Sequence, residues 1–136
     1  MPHHDHSADL AAAAASPLFD AAVLGPIVAD DTVLYGVLLT SAEEDGTMRL
    51  TALDAAQQAG DVAAAGAALH ALKGMAGSLG FLRAEAVAGL LLRGAEGGVL
   101  PDAAACTVLG AAWADGLAAM RAAEPLPPPG SFALSA

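Results

Sequence analysis

Apolar residues recur at spacings of three and four along most of this chain, in runs separated by short breaks of glycine, aspartate and proline. That period belongs to one face of an α-helix, whereas a strand would alternate, so the pattern points to an all-α fold. The first long run takes Tyr35, Leu39, Ala42, Gly46, Leu50 and Leu53 from an N-cap at Asp30-Asp31-Thr32 up to Gly60. Gly60-Asp61 breaks it. Val62, Ala65, Leu69, Leu72, Ala76 and Leu79 form the next stripe, with Asp61 as N-cap and Gly80 placed to end the helix in the left-handed conformation. A further helix over residues 83–93 turns Val87, Leu90 and Leu91 inward and ends among Gly94, Gly97 and Gly98. The last begins near Pro101-Asp102, with proline in the first turn, and aligns Cys106, Leu109, Trp113, Leu117 and Met120. Four main helices with short connections imply an antiparallel up-down four-helix bundle.

Composition supports the same class. Hydrophobic residues make up 56% of the 136 positions but aromatics only 4%, and the alanine-rich remainder favours closely packed helices over sheets. The length suits one domain, expected over residues 10–123. Residues 10–24 read as a short additional N-terminal helix or pair of turns, interrupted at Ser16-Pro17 and closed by Gly25-Pro26. Residues 1–9 read as a flexible tail, and so do the proline-rich residues 124–136.

Five Lys and Arg against 15 Asp and Glu give a formal charge of −10, which argues against nucleic acid and anionic membrane surfaces as partners. Cys106 is the single cysteine and reads as a small core residue, so a reducing cytoplasm is expected. No signal peptide is apparent, and no stretch is read as a membrane span. The expectation is a soluble, monomeric, free-standing domain with no kinase or receiver module attached.

The one concentration of chemistry is Leu69-His70-Ala71-Leu72-Lys73-Gly74, followed by Gly77-Ser78-Leu79-Gly80. On a helix His70 has Gly66, Lys73, Gly74 and Gly77 as its surface neighbours. Each helical glycine costs about 1 kcal/mol relative to alanine, so three on one face are costly unless something bulky must approach the imidazole. Lys73 adds a cation one turn away, suited to an anion.

These residues, with the helical pattern on either side, resemble the histidine-containing phosphotransfer (HPt) domain family. The resemblance is close over residues 69–80 and looser over 31–122. It implies a helical bundle that accepts a phosphoryl group on His70 from a receiver-domain aspartate of a hybrid kinase and passes it to a response regulator. By the same resemblance Lys73 orients the phosphate and Gly74 is the small residue that lets the receiver in; the helical spacing adds Gly66 and Gly77 to the steric clearance and Ser78 as a polar neighbour. Many members carry an amide on the next helix facing the histidine, and the nearest match by spacing is Leu92. The partners implied are receiver domains, docked on apolar residues at the exposed face of the two long helices over residues 31–60 and 61–80. The alternative is a docking module that binds receivers or helices without carrying phosphate.

Other residues read more plainly. A neutral imidazole can attack phosphorus without a separate base. No phosphate-cradling glycine loop is present, since Gly94-Ala95-Glu96-Gly97-Gly98 follows no strand. No cofactor and no metal of its own are expected, any Mg²⁺ coming with the partner's receiver domain. His3, His4 and His6 beside Asp5 belong to the tail rather than to a metal site. Glu43, Glu44 and Asp45 read as a solvated face, Arg83 and Arg93 as solvated charge, and Trp113 and Met120 as core.

Overall fold

The computed structural model describes residues 7–28 and 31–124, and every regular element among them is helical. A short helix α1 (Ser7–Ala14), a 3-10 turn (Ala21–Val23) and the one-turn α2 (Gly25–Val28) precede four long helices. These are α3 (Thr32–Ala59), α4 (Val62–Leu79), α5 (Leu82–Glu96) and α6 (Ala103–Ala122). The expected N-terminal tail is therefore helical from Ser7 onward, while His3, His4 and His6 lie outside the described residues. So do residues 125–136, which hold most of the proline-rich tail.

Local signals set the boundaries. Carboxylates of Asp31, Asp61 and Asp102 accept the N–H groups of Leu34, Ala64 and Ala105 at 2.9, 3.0 and 2.7 Å, capping α3, α4 and α6. Each such cap is worth about 1 kcal/mol. Gly60 and Gly80 end α3 and α4 with φ of 69° and 78°, where a side chain would be strained. Pro101 precedes the Asp102 cap instead of occupying the first turn of α6. Gly94 lies within α5, which runs on to Glu96 and is closed by Gly97.

The four long helices close a ring of contacts, α3 against α4 and α6, and α5 against α4 and α6. α4 and α5 run antiparallel, since Gly66, Lys73 and Gly77 along α4 meet Ala95, Gly89 and Glu85 in turn on α5. α3 and α6 also run antiparallel: Tyr35 donates its hydroxyl to the Met120 carbonyl at 2.7 Å, and the Trp113 indole N–H reaches the Ala42 carbonyl at 3.2 Å. Both aromatic polar groups in the core are thereby satisfied, and no buried polar side-chain atom lacks a partner among the described residues.

The core is built from Leu53, Leu69, Leu72, Phe81, Val87, Leu109, Trp113 and Met120. Phe81 stacks edge-on to Trp113 with ring centroids 5.1 Å apart, and Phe19 packs edge-on to Phe81 at 6.0 Å. Two glycines make room for these rings: Gly46 of α3 lies directly under the Trp113 indole, and Gly116 of α6 under Phe81. On α5 the inward face differs from expectation. Ala84, Val87, Ala88, Leu92 and Ala95 are buried, while Leu90 and Leu91 are only half-buried, because the 84–88–92–95 row is the one aligned with α4 and α6.

The segment before α3 is fastened to the α4–α5 corner. The Asp20 N–H donates to the Gly80 carbonyl at 2.8 Å, and Arg83 Nε donates to the Ser16 carbonyl at 2.9 Å. Arg83 is thus a structural tie rather than a solvated charge. α1 packs mainly along α5. By length and composition α6 is apolar enough to cross a membrane, with a mean hydropathy of 1.4, contrary to the expectation that no stretch would be. Its alanines, with Val108, Leu109, Leu117 and Met120, supply that value, and Leu109, Trp113, Leu117 and Met120 are buried in the bundle.

Candidate functional site

α4 carries the site because its buried row fixes its rotation. Ala68, Leu69, Leu72 and Ala76 are buried, so His70 falls on the far side of the helix and Lys73 at the edge of the buried row toward α5, and both are exposed. As an i, i+3 pair their Cβ atoms are about 5–6 Å apart on one face. A group attached to the imidazole therefore stands within reach of the ammonium.

The three flanking glycines have three different surroundings. A Cβ at Gly74 would meet nothing within 4 Å, so the approach to His70 over the following turn is open. A Cβ at Gly66 would touch the Ala95 Cβ at 3.8 Å, an ordinary packing contact between α4 and α5. At Gly77 the space is already filled: a Cβ there would lie 2.5 Å from Glu85 Oε2. The expected clearance at Gly77 is thus corrected, since the glycine accommodates a carboxylate of α5. Gly66 likewise serves helix packing. The Ser78 hydroxyl donates to the Gly74 carbonyl at 3.0 Å, a helix back-bond, so it is occupied locally rather than turned to the imidazole.

The α4–α5 register puts Leu92 level with His70, as the spacing suggested, but Leu92 is buried and contributes to the core. What α5 does bring to this face is Gly89, Arg93 and Glu85. The Lys73 stem lies against Gly89, its Cε 3.6 Å from where a Cβ would be, and Arg93 Nη1 lies 3.6 Å from the same point. Reading the residues without the fold passes over Gly89, because it is distant from His70 along the chain. Counting back and forth across the Gly80-Phe81 turn would have found it.

Lys73, Glu85, Gly89 and Arg93 line a groove that α1 borders with Asp9 and Ala12. At the α3–α6 flank, Arg121 forms an ion pair with Glu43. No group of three His, Cys, Asp or Glu among the described residues could hold a metal ion. Cys106 is buried, and burial with the nearby Asp54 and Asp102 pushes its thiol pKa up, which keeps it in the unreactive protonated form. Of the large apolar side chains exposed on α3, Met48 is level with Lys73 when counted from the Gly60-Asp61 turn; Val33 and Val37 lie beyond the end of α4.

Comparison with protein families matches residues 34–123, which span α4 and its three long partners, to a family described as the Hpt domain. Neither curated proteins nor solved structures give a match.

Proposed function

The chain belongs to the Hpt domain family, whose members serve histidine phosphotransfer in two-component phosphorelays, and from that premise we propose that His70 is its phosphoacceptor. The receiver's aspartyl phosphate is the donor or, in the reverse direction, the product. An imidazole nitrogen attacks phosphorus, the P–N bond forms as the P–O bond to aspartate breaks, and the aspartate leaves as a carboxylate. Lys73 steadies the phosphoryl oxygens by a charge-assisted contact. At an exposed site such a contact is worth about 0.2–1 kcal/mol, enough to orient the group without trapping it. Reversible transfer requires that weakness.

The observation that carries this reading is the open space at Gly74 beside an exposed His70 and Lys73. Gly74 supplies the steric clearance, and Met48 with the half-buried apolar residues of α3 and α4 forms the docking patch. The receiver's own Mg²⁺ assists the step, and this chain acts as a cytoplasmic monomer between a hybrid-kinase receiver and a response regulator.

Transfer from a ³²P-labelled receiver domain to the purified protein tests the reading. The expected label is acid-labile and base-stable, absent in His70→Gln and slowed in Lys73→Ala. A label that persists in His70→Gln overturns it. A protein that binds receivers but takes no label from them is the docking module instead.

A further inference from the structure

Two of the five cations in this chain lean into one notch. Lys73 Cε and Arg93 Nη1 each lie 3.6 Å from the position a Gly89 Cβ would take, so they are no more than about 7 Å apart. Arg93 reaches that point by folding back one turn toward the N-terminus of α5, and the missing side chain at Gly89 is what lets it lie there. Because α5 runs antiparallel to α4, folding back carries the guanidinium toward the level of Lys73 and past that of His70. Like charges brought together repel, and this pair gathers on a protein of formal charge −10 where carboxylates to pair with are plentiful. Two of the other three cations behave differently: Arg121 pairs with Glu43, and Arg83 donates to the Ser16 carbonyl.

We propose that Arg93 is a second phosphate-binding residue, which together with Lys73 clamps the phosphoryl group carried on His70. This rests on His70 being the phosphoacceptor. An ammonium stem and a guanidinium gathered within about 7 Å of each other are close enough for one tetrahedral phosphoryl group to contact both cations at about 2.8 Å. The guanidinium adds planar, forked donors that the ammonium lacks. Gly89 is then the residue that holds the clamp open, and Glu85, one turn along against Gly77, bounds it with negative charge.

The test needs no partner protein. Phosphoramidate phosphorylates imidazole directly: its P–N bond to ammonia breaks, a P–N bond to His70 forms, and the displaced ammonia takes up the proton. The ³¹P signal lost in His70→Gln identifies the group, and its chemical shift is titrated against pH. Charged groups on the surrounding elements are Lys73 of α4, Arg83, Glu85, Arg93 and Glu96 of α5, Asp9 of α1, and Glu43, Glu44, Asp45, Arg49 and Asp54 of α3. Cations beside the phosphoryl group favour its dianion, so Arg93→Gln should raise its proton affinity about two- to fivefold. Lys73→Gln should act in the same direction, Arg93→Lys should restore part of the effect, and Arg121→Gln should have none. Gly89→Leu, which displaces both stems while keeping both charges, should also raise the affinity. A His70 signal that titrates alike in wild type, Arg93→Gln and Gly89→Leu overturns the clamp and leaves the phosphoacceptor standing. Absence of any signal that depends on His70 overturns both.

Discussion

Gly74 separates function from stability more cleanly than any other position. It lies in the interior of α4, and nothing approaches within 4 Å of where its Cβ would be. A helix-interior glycine exchanged for alanine without a clash gains about 1 kcal/mol from propensity alone. For a domain of this size that corresponds to a rise of about 3–5 °C in Tm. Gln has nearly the same propensity advantage, so Gly74→Gln should also melt higher than wild type. Its side chain, however, stands in the path to His70. Displacing such bulk at a packed interface costs on the order of 1–3 kcal/mol, about 5- to 150-fold in docking affinity. Thermal melts followed by circular dichroism, together with transfer from a phosphorylated receiver, measure both sides. Gly74→Ala and Gly74→Gln should both be stabilised, and Gly74→Gln should transfer poorly. A lower Tm for Gly74→Ala would mean the space is not open, and wild-type transfer by Gly74→Gln would refute the clearance argument.

Other perturbations test the packing beneath the site. Gly46→Ala should behave oppositely to Gly74→Ala, because its Cβ would overlap the Trp113 indole; the expected loss is about 1–3 kcal/mol in a urea melt, and a wild-type midpoint would contradict the close approach. Tyr35→Phe removes the hydrogen bond to the Met120 carbonyl, which sits in the last turn of α6 where helical donors run out, and should cost about 1 kcal/mol. Burial, with Glu124 nearby, raises the Tyr35 phenol above its ordinary 10.0. The folded state thus holds that proton more tightly: its contribution is full below pH 10 and lost as pH rises through the raised value. The wild-type Tm should therefore fall more steeply than that of Tyr35→Phe above pH 10, and parallel curves would exclude the phenol as the cause. Cys106, buried and held protonated, should react with iodoacetamide only as the protein unfolds, and rapid alkylation of the folded protein would contradict its placement.

Features that depend on neighbours along the chain are legible without the fold. The caps at Asp31 and Asp61, the break at Gly60, the left-handed glycine at 80 and the exposure of His70 all follow from spacing within one turn, whereas the proline at 101 draws the start of α6 one residue too early and hides the Asp102 cap. What crosses between helices is not. The Glu85 carboxylate against Gly77, the gathering of Lys73 and Arg93 at Gly89, and the tie from Arg83 to Ser16 are set by how α4, α5 and the N-terminal segment meet. The inward face of α5 escapes the sequence pattern for the same reason: the strong hydrophobicity of Leu90 and Leu91 is no guide when alanines at 84, 88 and 95 are what the close helix contacts require. Small residues carry weak hydrophobic signals, and in an alanine-rich bundle they decide the packing.

The central claim is that His70 carries the phosphoryl group while the rest of the surface does the docking. Binding and transfer measured on one pair of proteins, wild type and His70→Gln, with the same phosphorylated receiver, test it most directly. The account predicts equal affinity for the receiver and complete loss of the acid-labile label in His70→Gln. Label retained in that variant would contradict it.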